Sequence, residues 1–192
     1  VRCTWARFLR WLYSFGAIAR LSILHLILVS VVILRLFELI HSYRNAKRLL
    51  DNGGVEYGSK HYPLLVLIHV SWLISIWWVV PSATEPSLEL LSVFILLQIS
   101  RFWIIASLGP YWTTRVISSN DFPIINRGPY RFMKHPNYLV VCAEIAVLPM
   151  VFGAVEIATI FSILNAAALA WRIKIEEYAL KSRRNKKIPN NS

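Results

Sequence analysis

The sequence predicts an all-α integral membrane protein: a bundle of five transmembrane helices with one long polar loop and a C-terminal helical hairpin. Three observations predict it. Hydrophobic residues make up 56% of the 192, eight residues are Trp, and the mean hydropathy is +0.51, a composition that belongs to multi-span proteins. The apolar residues fall in runs long enough, at ~1.5 Å per helical residue, to approach or cross a ~30 Å hydrocarbon core. The cations collect in the segments between alternate runs. A net charge of +11 would suit a nucleic-acid binder, but cations placed beside apolar spans are better matched by anionic lipid headgroups. No nucleic-acid partner is expected.

Residues 1–20 carry Arg2, Arg7, Arg10 and Arg20 among Trp5, Phe8, Trp11 and Phe15. So many charges prevent an easy span, and the segment reads as a basic interfacial amphipathic helix. A signal peptide is the rival, but no small-residue cleavage site follows. The first span is residues 21–40, where Arg35 and Glu38 share a helix face by their spacing of three and can pair. A polar segment, 41–62, follows with the turn signal Asn52-Gly53-Gly54. Residues 63–80 form the second span and 87–108 the third, which carries Gln98 and Arg101. An arginine inside a span faces the bundle interior or a polar cavity.

The connection 109–135 is longer than compact proteins usually carry without a function. Within it 111–117 is rich in aromatic and β-branched residues and 122–125 is a short apolar step; either can be extended, but no sheet is expected. Residues 137–151 give a fourth, short helix, and 154–180 a fifth. The short gap between them makes the pair an antiparallel hairpin. The tail, 181–192, is basic and expected to fray. The chain thus divides into an interfacial segment (1–20), three spans (21–108), a region with two spans and the long loop (109–180), and the tail (181–192).

Loop charges set the expected orientation. Residues 41–62 hold four Lys/Arg, 109–136 four and 172–192 seven, whereas 81–86 and 152–156 hold none. Placing the first three on the cytosolic side satisfies the positive-inside bias. The N-terminal twenty residues then lie outside and violate it.

Few soluble-enzyme motifs are present. There is no G-x-G-x-x-G and no G-K-[ST] to cradle phosphates. His25, His41, His61, His69 and His135 are scattered without a metal-ligand pair, so no metal is expected; His61 and His69 read as capping or packing residues. Cys3 and Cys142 suggest neither a disulfide framework nor a zinc site.

One polar stretch stands apart: Asn126 to Tyr138, N-R-G-P-Y-R-F-M-K-H-P-N-Y. Gly128-Pro129 marks a turn, and Pro136 suits the first turn of a helix, where its missing N–H leaves no bond unmade. The stretch reads as a constrained loop that brings Tyr130 and His135 to the mouth of a membrane helix. Its bland reading is a basic juxtamembrane loop that only sets topology.

G-P-Y-R-F-M-K-H-P-N-Y, followed some thirty residues on by R-I-K-I-E-E (Arg172 to Glu177), resembles the isoprenylcysteine carboxyl methyltransferase family. The similarity is greatest to a bacterial branch that methylates lipophilic polyketide phenols and pyrones. It covers roughly residues 35–180. The resemblance implies a multi-pass protein of the bacterial cytoplasmic membrane that takes S-adenosylmethionine as methyl donor in a cytosolic cofactor loop. It places His135, Pro136, Asn137 and Tyr138 on the cofactor, with Tyr130 in the preceding turn and Phe122, Pro123, Ile124 and Ile125 along the cofactor's other side. Glu176 matches a cofactor-contacting glutamate and Arg172 a substrate-site arginine, the two forming the expected catalytic pair. Positions 172 and 176 do share a helix face, and a pair that only stabilises the helix end would look the same. The family often has Arg before His-Pro; here Lys134 keeps the charge without the planar fork. The chain also ends soon after Glu177, which puts a prenylated protein substrate in doubt.

A carboxylate acceptor is ionised at neutral pH, whereas a phenol, with a pKa near ~10, must lose its proton. Glu176, Glu177 and His135 are the candidate bases, and the residues do not choose among them. The expected reaction is O-methylation of a lipophilic small molecule, either a polyketide phenol or pyrone hydroxyl or a prenylcysteine-like carboxylate. Two other readings compete: an NADPH-dependent membrane lipid reductase and a non-catalytic lipid-binding protein.

Overall fold

The computed structural model describes residues 22–59, 62–119, 122, 123 and 125–187, with side chains as far as residue 179. The interfacial segment expected at 1–20 lies outside these, as do Cys3, His61 and Ile124.

Helix α1 (Ile23–Asp51) is capped by Ser22, whose hydroxyl accepts the His25 N–H at 3.4 Å. It does not stop near residue 40. The last eleven residues are mostly polar, yet Ser42, Asn45, Ala46 and Leu49 are buried along one side. That is the i, i+3, i+4, i+7 stripe of an amphipathic helix, so α1 projects past its apolar part as a continuous rod. The turn that follows needs glycine at 54, where a Cβ would lie 2.6 Å from the Leu49 carbonyl oxygen and 2.8 Å from Ile117 Cγ2.

Strand β1 (Val55–Tyr57) pairs antiparallel with β2 (Val116–Ser118), Glu56 opposite Ile117. This corrects the all-α expectation: the β-branched stretch of the long connection is extended because it finds a partner some sixty residues earlier. Helix α2 (Tyr62–Val79) buries Leu65, Ile68, Trp72 and Ile76 on one stripe. In α2, His69 Nδ1 lies 2.8 Å from the Leu65 carbonyl and its ring meets Trp72 edge-on, the packing role expected of it. Helix α3 (Leu88–Leu108) starts at Ser87, whose hydroxyl accepts from Leu90 N–H, and stops at Gly109, which has φ +52°.

Helices α4 (Pro136–Val151) and α5 (Val155–Lys187) form the hairpin, turned by Phe152, Gly153 and Ala154. Helix α5 stays helical to Lys187 rather than giving way near residue 180. The expectation of five spans is met in part. Among the described residues four helices are long and apolar enough to cross a membrane, while α4 is a shorter apolar helix of 16 residues. It packs against α3 and α5.

The basic segments meet at one end of the bundle. Asn45 of α1 donates to the carbonyls of Gly109 at 3.1 Å and Trp112 at 2.9 Å, and Ser42 Oγ accepts the Thr114 N–H at 2.8 Å. At the opposite end Ser87 N–H donates to the Val151 carbonyl at 2.8 Å, joining the two loops that lack Lys and Arg.

The middle of the bundle holds an apolar core around Leu24, Leu28, Ile76, Ile145 and Leu148, and beside it a polar knot. Arg35 donates to both Glu38 oxygens at 2.8–2.9 Å, to Gln98 Oε1 at 3.2 Å and to Glu144 Oε1 at 3.1 Å. Arg101 donates to both Glu38 oxygens at 2.7–2.8 Å and to Glu144 Oε2 at 3.2 Å. Gln98 donates to Glu144 at 2.9 Å. The i, i+3 pair legible in α1 is thus half of a neutral four-charge network that also ties in α3 and α4. Burying each ion alone would cost several kcal/mol; full mutual pairing offsets this.

Candidate active site

The motif turn is built on the end of α3. Gly128 has φ +55°, and a Cβ there would collide with the Ser107 hydroxyl and approach Trp103. Arg127 Nε donates to the Ser107 carbonyl at 2.7 Å, fastening the turn from the other side. A 3-10 turn, Gly128–Arg131, follows. His135 occupies the N-cap position of α4 and Pro136 its first turn, where proline's fixed φ is pre-organised and its missing N–H harmless.

Beside this turn lies a cavity of about 720 Å³, within the size range of small-molecule sites. One wall comes from the motif and from α5: Tyr130, His135, Asn137, Tyr138, Arg172, Glu176 and Glu177 line it. Tyr138 is the centre of this wall. Its hydroxyl donates to Glu176 Oε2 and accepts from Arg172 Nε at 2.9 Å. The Arg172 guanidinium also lies 5.7 Å from the Tyr138 ring centroid. The His135 ring stacks on Tyr138, 5.2 Å between centroids and 14° between planes, and its Nδ1 is 3.7 Å from Glu176 Oε2. Arg172 and Glu176 are therefore joined through the tyrosine hydroxyl, an arrangement that i, i+4 spacing does not disclose.

The opposite wall is Trp112, Thr113, Val116, Ile117 and Ser118, together with Phe122, Pro123 and Ile125. The β1–β2 pairing holds it in place, supported by Arg115, which lies 3.2 Å from Glu56 and over the Tyr62 ring at 5.7 Å. Tyr111 packs on Phe122, with centroids 5.9 Å apart.

Of the residues singled out in the sequence, Phe122, Pro123, Ile125, Tyr130, His135, Asn137, Tyr138, Arg172 and Glu176 all line one cavity. Pro136 is buried and shapes the helix start, and Ile124 lies outside the described residues. Sequence reasoning missed the wall from Trp112 to Ser118. Its aromatic and β-branched content is the signal for an extended segment, but nothing local says that it turns toward the motif.

The electrostatics are mixed. The Tyr130 phenol is pushed up by burial and further by the Glu176 carboxylate, so it remains a hydrogen-bond donor at neutral pH. Asn137 Oδ1 is buried with no hydrogen-bond partner among the described residues. A buried amide oxygen left unpaired is costly, and here it belongs to a residue of the cavity wall. Among the described residues no cluster of His, Cys, Asp and Glu could hold a metal ion.

Comparison with known proteins agrees with the motif. A profile of the family described as "Isoprenylcysteine carboxyl methyltransferase (ICMT) family" matches residues 90–182, a range that holds most of the cavity wall. The chain is 34% identical over 159 residues to the Bacillus subtilis (strain 168) "Uncharacterized protein YpbQ", covering 81% of this chain and 95% of the relative. An "Uncharacterized protein" of Haemophilus influenzae is 25% identical over 158 residues, covering 78% and 90%. No solved structure matches significantly.

Proposed function

The chain belongs to the isoprenylcysteine carboxyl methyltransferase family, and from that premise we propose that it is a membrane O-methyltransferase that takes its methyl group from S-adenosylmethionine and acts on a lipophilic small molecule. The observation that carries the reading is the Arg172–Tyr138–Glu176 chain on the wall of a 720 Å³ cavity. It sets a cation for an oxyanion one helical turn from a carboxylate for donor groups.

The residues fit the cofactor. Glu176 offers acceptor oxygens to amino or ribose hydroxyl groups, and Tyr130 offers a protonated phenol. Aromatic residues on both walls supply faces for a planar base. When bound, this cofactor supplies an electrophilic methyl on a sulfonium, transferred by in-line displacement. The protein's part is positioning and exclusion of water. Arg172, buried and held by Tyr138, presents the rest of its guanidinium to the acceptor oxygen, as its planar fork suits. For a carboxylate acceptor that is enough. For a phenol or enol the proton must leave, and His135, stacked in place near Glu176, is the base we favour. The acceptor class, a polyketide-type hydroxyl or a prenylcysteine-like carboxylate, belongs to this proposal, as does a cytosolic active site.

Calorimetry on the purified protein tests the cofactor. S-adenosylmethionine and its demethylated product should bind saturably, NADPH should not, and Glu176→Gln should weaken both methyl-cycle ligands by roughly tenfold, the loss of one charged hydrogen bond. Saturable NADPH binding without heat from the methyl-cycle ligands would favour the reductase and end this reading.

Orientation has its own test. Single cysteines at positions 48, 119 and 186 should be shielded from an impermeant thiol reagent applied to intact cells, and one at position 84 labelled. The prediction rests on the charge partition, which the contacts place at opposite ends of the bundle. Labelling of position 119 from outside would refute it.

A further inference from the structure

The turn that carries the motif has two faces. Tyr130 and His135 line the cavity, while Phe132 and Met133, between them in sequence, point away: Phe132 is 77% exposed and Met133 43%. Neither is placed there by the cavity. Single exposed apolar side chains are ordinary, but an adjacent Phe–Met pair held out on a constrained turn is an apolar tip.

Its surroundings say what it meets. The turn packs on the last residues of α3 and runs straight into α4, so the tip stands level with the ends of two apolar helices. Arg131 is exposed beside it, its guanidinium 5.9 Å from the Phe132 ring centroid. Lys134, exposed on the other flank, also reaches the cavity rim. The basic end of α1, with Arg44 and Lys47 exposed, lies at the same end of the bundle. An aromatic ring among cations at the end of a membrane helix matches the headgroup boundary of an anionic bilayer, the ring at acyl level and the cations at phosphate.

We propose that Phe132 and Met133 form an interfacial anchor seated in an anionic phospholipid bilayer, with Arg131 against the lipid phosphates. The cofactor-side turn then rests directly on the membrane surface, its inner face on the cavity and its outer face on lipid. Lipid contact is read physically, so this inference stands or fails separately from the methyl-transfer reading.

The test uses the full chain in phosphatidylglycerol vesicles, with Cys3→Ser and Cys142→Ser to remove background thiols. An environment-sensitive fluorophore is attached at Phe132→Cys or, as a control at the same end, at Asn52→Cys. Emission from position 132 should shift to the blue and be quenched by lipids carrying a nitroxide near the top of the acyl chain; position 52 should report water. Arg131→Gln should reduce the preference for nitroxide-bearing phosphatidylglycerol over phosphatidylcholine by roughly fivefold, the factor one cation commands at an anionic surface. Emission at 132 as wet as at 52 would overturn the proposal. So would a blue shift without lipid quenching, which would mean that protein covers the tip, and so would equal quenching by both lipids.

Discussion

Arg172→Ala is expected to lower turnover by roughly tenfold or more while leaving S-adenosylmethionine affinity nearly intact. Charged hydrogen bonds are worth ~1.5–3 kcal/mol, and each ~1.4 kcal/mol of transition-state stabilisation is a decade in rate. The selectivity follows from the geometry. Arg172 spends its Nε on Tyr138, which leaves the outer part of the fork for the acceptor oxygen. Tyr138 keeps its bond to Glu176 when the arginine is removed, so the groups expected to hold the cofactor stay in place. Arg172→Lys should rescue only part of the rate, because an ammonium retains the charge without the planar donors. A merely structural arginine would behave otherwise: thermal stability would drop, and turnover at saturating substrates would follow the folded fraction. Melting temperature, cofactor affinity and turnover measured on both variants separate the two outcomes.

Arg101→Ala should cost about 3–5 kcal/mol of stability, the usual penalty for stripping one partner from a buried ion pair. Arg101 and Glu144 side chains are 10% and 5% exposed, and removing the arginine leaves Glu38 and Glu144 sharing the single Arg35 cation. Glu144→Ala should be comparably harmful, leaving two arginines on one carboxylate. The combination Arg101→Met with Glu144→Leu removes one charge of each sign and keeps the Arg35–Glu38 pair. It should recover much of the loss, since apolar replacement of a whole buried pair is often close to neutral. A double-mutant cycle with Arg101→Met and Glu144→Leu also made singly, read by reversible unfolding in detergent, checks this. Additive losses in the double variant would show that the network is not a single unit.

The sequence by itself determined the apolar helices and the motif. Long apolar runs leave a chain in lipid little choice but to satisfy its own backbone, and a helix does so within one segment. Pro136 marks the start of α4 by local chemistry alone, its missing N–H leaving no bond unmade in the first turn. Pairing across the chain was not legible. A strand of three residues has no local stability, so β2 exists only because β1 meets it, and the second cavity wall follows from that pairing. Glu144 is a single acidic residue in an apolar helix, and α1 and α3 bring Arg35 and Arg101 to it. The polar end of α1 read as a loop because its burial stripe depends on Thr114 and Trp112 lying against it. Tyr138 was named for the cofactor, but only the packing of α4 on α5 makes its hydroxyl the link between Arg172 and Glu176. Spacing along one helix fixes which residues share a face; what that face meets is decided by the other segments of the fold.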